Sequence, residues 1–246
     1  MTIILIHGGG STARFWDRLV PLLDGEVLAV DLPGRGAHPA DLGSITVDDE
    51  VASVVSDVEA ATSDEPVVLV AHSSGGLCVP GVVAALGDRV RQVVLNAALV
   101  PPEGGCGLDC MQPHHSEGLA AAVEAAAGGP PITLPGPPED PERARKAYGS
   151  DPLSDGDLTF VVDPVRYVPD TVHHYFQRVH WSAAAAVPVT YVLTERDRPV
   201  PADLQEEMIG RLPSPPEVIR FATGHLPAVT HPDLLADVIR KVVAAG

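Results

Sequence analysis

Four short segments hold the residues able to do chemistry. AHSSGG at 71–76 sets Ser73 among small neighbours, directly after the apolar run PVVLV. TERDRPVP at 194–201 contains Asp197, ATGHL at 222–226 contains His225, and HGGG at 7–10 offers a run of glycine amides. A serine, a histidine and an aspartate brought together perform nucleophilic acyl transfer. The histidine takes the serine proton, the aspartate holds the imidazole tautomer, and backbone N–H groups receive the developing oxyanion. An S-x-G pattern alone is weak, so the elements that carry the four segments must decide.

Those elements read as alternating strands and helices. TIILI (2–6), EVLAV (26–30), PVVLV (66–70), RQVVLN (91–96), PVTYVL (188–193) and EVIRF (217–221) read as strands buried on both faces. Amphipathic helices are expected at about 14–23, 47–61, 75–86, 202–210 and 231–244, with Pro201 and Pro232 at helix starts. The alternation predicts an α/β fold with a doubly wound, mostly parallel sheet and right-handed crossovers. Residues 100–182 interrupt it. This stretch is rich in Pro, Gly and Ala and is too long for an ordinary loop. It is read as a helical lid inserted between strands, with helices at 117–127 and 168–181 and a mobile part at 128–141. The core is then 1–99 plus 183–246.

In an open α/β sheet, ligands bind beyond the carboxyl ends of the strands. All four segments follow strands and therefore fall at one edge. Ser73 takes the nucleophile position in A-H-S-S-G, with Ala71 and Gly75 as small flankers. His225 is the general base, and Asp197 its orienting carboxylate, with Glu195 two residues earlier as an open alternative. The Ser74 and Gly9 N–H groups are the expected oxyanion donors. Gly8, His72, His174, Phe176, Trp181 and Leu226 are expected to line the substrate pocket. His7 and Trp16 read as supports of the glycine loop, and Asp31 and Arg35 as fixing the DLPGRG turn.

On HGGGSTARFW (7–16), DLPGRGAHP (31–39), AHSSGG (71–76), TERDRPVP (194–201) and GHLPAVTHPDLL (224–235), the chain resembles an α/β-hydrolase over nearly its whole length. It most resembles the compact branch of plant methylesterases and hydroxynitrile lyases. In that branch the lyases carry Thr after the first-loop His and Lys after the catalytic His. Here those positions are Gly8 and Leu226, so the resemblance implies ester hydrolysis over cyanohydrin cleavage. Relatives with an Asp nucleophile, epoxide hydrolases and haloalkane dehalogenases, are disfavoured by Ser73. The expected function is a serine hydrolase that cleaves a carboxylic ester, thioester or lactone through an acyl-enzyme. Two rivals stand beside it: a biosynthetic tailoring enzyme using the same triad, and a small-molecule receptor with an idle triad.

Bulk properties narrow the partners. Thirty-three acidic against sixteen basic residues give a formal net charge of −17 over 246 residues. Such a surface repels phosphate backbones and anionic lipid, so neither nucleic acid nor membrane is an expected partner. The N-terminal segment lacks the charged region of a signal peptide, and no apolar run approaches a membrane span. A cytoplasmic monomer or homodimer acting on a small molecule is the expectation, and the composition hints at a high-GC bacterial source. Three cysteines do not make a disulfide framework, although Cys106 and Cys110 are near enough in sequence to pair. Histidines 114, 115, 173, 174 and 180 lack a carboxylate at ligand spacing, so neither metal nor cofactor is expected.

Overall fold

The computed structural model describes residues 1–136, 138 and 140–245. Pro137 and Glu139, in the 128–141 stretch read as mobile, lie outside the described residues. In chain order the elements are β1 (Thr2–Ile6), β2 (Val27–Val30), α1 (Val47–Ala61), β3 (Val67–His72), α2 (Val79–Leu86), β4 (Val90–Asn96), α3 (Pro113–Ala125), β5 (Thr133–Leu134), α4 (Pro141–Arg145), α5 (Asp155–Val161), β6 (Asp170–Thr171), β7 (Val189–Thr194), α6 (Ala202–Ile209), β8 (Glu217–Phe221), α7 (Pro227–Thr230) and α8 (Pro232–Ala245). Six strands form one parallel sheet in the order β2-β1-β3-β4-β7-β8. Strand order reverses between β1 and β3, which opens a crevice at their carboxyl ends.

Period-two alternation divides the strand side chains between two layers. Ile4 and Ile6, Leu69 and Ala71, Val93 and Leu95, and Tyr191 and Leu193 pack towards α1, α2 and α6. Ile3, Leu5, Val68, Val70, Val94 and Val192 pack on the other face, against Trp16, α7 and α8. The expected burial on both faces holds for β1 and β3 and fails for the edge strands. β2 is half-buried and most of β8 is exposed, because each has a neighbour on one side only. The helix expected at 14–23 is instead two 3-10 turns, Ala13–Trp16 and Val20–Leu22. Pro21 lies in the second turn, where it removes a backbone donor.

Between β4 and β7, α3 covers most of the expected 117–127 helix, whereas 168–181 is not one helix. Pro169 and the β-branched Thr171 and Val172 favour extended backbone there. β6 pairs antiparallel with β5, and a 3-10 turn follows at His173–Phe176. This segment is fastened to the core by polar backbone ties. Val168 N–H donates to the Gly10 carbonyl at 2.9 Å, and Ser150 N–H to that of Arg196 at 2.9 Å. The Gln177 side chain accepts from Val47 N–H at 2.6 Å and so caps the first turn of α1 from outside. All three cysteines are free thiols, so Cys106 and Cys110 are not joined.

Candidate active site

The polypeptide turns sharply at the end of β3. Ser73 has φ of 52°, a left-handed conformation uncommon for a residue with a side chain, and its carbonyl accepts from Leu99 N–H at 2.9 Å. Gly75 makes the turn possible, because a Cβ there would collide with the His7 carbonyl. The turn holds the Ser73 hydroxyl above the sheet edge, where it donates to His225 Nε2 at 3.0 Å. His225 Nδ1–H donates to Asp197 Oδ2 at 2.6 Å. With the Asp197 carboxylate as acceptor on one side and the Ser73 hydroxyl as donor on the other, these partners assign the imidazole tautomer. Loops after β3, β7 and β8 thus meet in one hydrogen-bonded line.

Asp197 is held on several sides. Thr194 Oγ1–H donates to Oδ2 at 2.7 Å and Val200 N–H to Oδ1 at 2.8 Å. Gln205 in turn reaches Thr194 Oγ1 at 3.0 Å. Glu195 is exposed, and its backbone runs on beside β8 through a bond to the Phe221 carbonyl. The chain leaves β7 in a turn at 195–196, which leaves Glu195 in solvent and carries Asp197 round to His225. Thr194 lay inside the same sequence motif, whereas nothing in the sequence marked Gln205.

His72 does more than fill the pocket wall. Its Nε2–H donates to the His225 carbonyl at 2.9 Å, and its ring stacks on Phe15 with centroids 4.8 Å apart. Burial, with the neighbouring His225 adding to it, holds His72 well below the usual histidine range, so it is a neutral donor. His7 is also neutral. Burial and then Arg35 lower it to about 4. Its Nδ1–H donates to the Gly8 carbonyl at 2.8 Å while Nε2 accepts from Leu32 N–H at 3.1 Å, which shapes the glycine loop. Asp31 accepts from Ala13 N–H at 2.7 Å and Ala37 N–H at 2.9 Å, tying that loop to the DLPGRG turn. Trp16 is wholly buried beneath, 6.4 Å from His72 by ring centroids.

Two cavities meet at Ser73. One, of about 240 Å³, is lined by Gly9, Phe15, His72, Tyr148, Phe160, Tyr167, Asp170, His225 and Leu226 among others. The second, of about 660 Å³, runs beneath α3 along Leu99, Met111, Leu119 and Ala122. Ser73, Leu134, Tyr175 and Pro199 border both. The Gly9 amide has no acceptor among the described residues, and Ser74 is the second residue of the 3-10 turn Ser73–Leu77.

Four expected pocket residues lie elsewhere. His174 is fully buried and turned to Glu50, with Nδ1 at 2.8 Å from its carboxylate. Trp181 is buried in the core against α2, and Phe176 faces solvent on the far side of the 3-10 turn. Gly8 packs so closely on the elbow that a Cβ would come 2.7 Å from Ser73 Cβ, and it does not reach the cavity wall. Tyr148, Tyr167, Asp170 and Tyr175 line the cleft in their place. Tyr175 belongs to the aromatic run at 173–176 that was expected at the pocket, whereas no sequence signal singled out Tyr148, Tyr167 or Asp170, which lie in the segment without regular periodicity.

The sequence model of the alpha/beta hydrolase family matches residues 3–238. A putative chloroplastic methylesterase 13 of Arabidopsis thaliana is 27% identical over 97% of this chain and 55% of its own length. Polyneuridine aldehyde esterase of Rauvolfia serpentina is 32% identical over 40% of this chain and 39% of its own. The chain therefore spans about half or less of those two curated relatives. Among solved structures, an extracellular α/β-hydrolase from a Paenibacillus species superimposes with a TM-score of 0.78 at 22% identity, over 98% of both chains. A pyrethroid hydrolase from Sphingobium faniae superimposes with a TM-score of 0.78 at 21% identity, over 100% of this chain and 98% of that one. At that identity the likeness is one of fold.

Proposed function

The chain belongs to the α/β-hydrolase family, and we propose that it is a hydrolase that cleaves a carboxylic ester through an acyl-enzyme on Ser73. The observation that carries this reading is the unbroken line from Ser73 Oγ through His225 to Asp197. The names of its relatives, methylesterase and methyl jasmonate esterase among them, point the same way.

In this mechanism Ser73 Oγ attacks the ester carbonyl carbon as its proton passes to His225 Nε2. Asp197 Oδ2 keeps its bond to Nδ1–H and stabilises the imidazolium. The Gly9 and Ser74 N–H groups receive the carbonyl oxygen as it becomes an oxyanion, preorganised so that little rearrangement is needed. Collapse expels the alcohol, which takes the proton from His225. Water activated by the same imidazole then attacks the acyl-enzyme, releases the acid and restores Ser73. His72 acts as a positioning residue, because its bond to the His225 carbonyl sets the height of the imidazole. Residues 100–182 serve as the lid that selects the substrate, since they supply most of the aromatic and apolar lining.

The test is labelling of the wild type and Ser73→Ala with a fluorophosphonate, read by intact mass and peptide mapping. One adduct on Ser73, absent in the variant, is the expected outcome. A Ser73→Ala protein that hydrolyses short activated esters at the parental rate would overturn the mechanism.

A further inference from the structure

Beside the oxyanion loop lies a cluster of buried charges that the acyl-transfer chemistry leaves unused. Arg35 is inaccessible to solvent and forms ion pairs with Glu50, at 3.3 Å, and with Asp170. Asp170 Oδ1 takes that guanidinium and also accepts from Thr171 N–H at 2.9 Å. Its other oxygen, Oδ2, is buried and has no partner among the described residues. The Ser74 hydroxyl is likewise buried and unpartnered. An unpartnered buried carboxylate oxygen is costly, and native structures rarely keep one without a use.

Both orphan atoms converge on one spot. A Cβ built on Gly9 would collide with Asp170 Oδ2, and would stand 2.9 Å from Tyr175 Oη and 3.2 Å from Ser74 Oγ. Three oxygens therefore close in on the α-carbon of Gly9, and Gly9, Asp170 and Tyr175 all belong to the wall of the smaller cavity. Burial pushes the Tyr175 phenol up to about 12 despite its Ser74 neighbour, so it stays a neutral hydroxyl able to donate and accept. A bare carboxylate oxygen near the place where the carbonyl oxygen gains negative charge opposes the reaction. A donor placed between the two turns that repulsion into attraction.

We propose that Asp170 Oδ2, Tyr175 Oη and Ser74 Oγ form a recognition notch for a hydrogen-bond donor on the carbon next to the scissile carbonyl. The substrate class is then an ester of an α-hydroxy or α-amino acid. This rests on the ester-hydrolysis reading and adds the acyl group to it. A donor on the α-carbon can lie on the same side as the carbonyl oxygen. Filling the notch then turns that oxygen towards the Gly9 and Ser74 amides. An acyl group without the donor leaves Oδ2 orphaned as the transition state forms, which is how polar sites reject deoxy analogues.

The test compares kcat/KM for methyl mandelate, methyl phenylglycinate and methyl phenylacetate in the wild type, Tyr175→Phe and Asp170→Ala. Intrinsic reactivity differences between the esters cancel when preference ratios are compared across proteins. The ratio of the better donor ester to phenylacetate should fall at least about tenfold in Asp170→Ala and severalfold in Tyr175→Phe. Tyr175→Phe leaves the Arg35 ion pairs intact, so it remains informative if Asp170→Ala does not fold. Ratios unchanged in every variant that folds would overturn the notch. Preference for phenylglycinate over mandelate would identify a cationic donor, and the reverse a neutral one. Calorimetric binding of the three esters to Ser73→Ala separates the two layers of inference. Tighter binding of a donor ester with no wild-type turnover would sink ester hydrolysis and keep the notch. Equal binding with turnover would sink the notch alone.

Discussion

In the sheet, a residue's place at the site follows from its distance beyond a strand. In residues 100–182 it follows from the partner found across the cleft. Ser73, Asp197 and His225 stand just past His72, Thr194 and Phe221, the last residues of three parallel strands. Once those strands pair in register, the three side chains have little freedom left. Tyr148, Asp170 and Tyr175 have no such frame. Each is fixed by a bond to the core: Tyr148 through its carbonyl to His225 N–H at 2.7 Å, Asp170 through Arg35, and Tyr175 through its packing beside Ser74 and Gly107. In the proposed mechanism, reactivity is thus set by backbone geometry, and selection by contacts of the inserted segment.

The comparison breaks first if the orienting carboxylate can be exchanged within its own loop. Asp197→Ala should lower kcat/KM on a p-nitrophenyl ester by roughly 10⁴-fold, with Glu195→Ala within about twofold of wild type. Equal losses in both variants would mean that register does not decide the role.

Acid should affect the sheet loops before the ties of the inserted segment. His7 has its pKa lowered by burial, so the unfolded chain binds the extra proton. Its contribution to stability is complete above pH 6.5 and is lost as pH falls towards about 4. The loss should approach about 3 kcal/mol in urea unfolding at pH 4, with His72 adding in the same direction. Glu50 has the same sign at lower pH. Burial raises it, but His174 and Arg35 prevail and hold it below the ordinary glutamate value of 4.5. Its contribution is complete above pH 4.5 and disappears only as pH drops through the lower folded value. His7→Gln should flatten the stability profile between pH 6.5 and 4.

A smaller effect comes from the junction of the two regions. Gly149→Val would press on Gly224, whose Cα stands 2.9 Å from an ideal Cβ at 149, and on the Arg196 carbonyl at 3.2 Å. Displacing the His225 loop should cost roughly 10²-fold in kcat, with far-UV circular dichroism unchanged. The least effect is expected from Gln177→Ala, which uncaps α1 and should cost about 1 kcal/mol in thermal or urea unfolding. The Thr46–Asp49 capping box remains in place to limit that loss.

The same contrast explains what the sequence made legible. Continuous apolar runs ending in turn residues located β1, β3, β4, β7 and β8 and placed Ser73, Asp197 and His225 beyond β3, β7 and β8. Strand limits moved by a residue or two, while α2 and α3 each start four residues from the expected position. Edge exposure was not visible in β2, whose run is wholly apolar, whereas β8 carries the charged Glu217 and Arg220. His174 and Trp181 were assigned to the cleft on residue type, and both turned inward to partners more than seventy residues away in sequence, Glu50 and the α2 layer. Asp170 went unnoticed for the same reason. An acidic residue in a proline-rich stretch looks solvated until Arg35 is known to reach it.

Gly149 and Gly224 cross so tightly that neither has room for a side chain, and the amide of His225 hangs from the carbonyl of Tyr148. The inserted segment is therefore part of the bearing that holds His225, the general base of the proposed mechanism. Cutting 100–182 away to make an open, undiscriminating hydrolase would loosen the base along with the roof. Grafting a new roof from a cousin would carry the same hazard unless the crossing travelled with it. Diversification of such a chain is then channelled to the cleft-facing positions that leave the crossing untouched. The small pair at 149 and 224 marks where retooling by exchange of modules must stop.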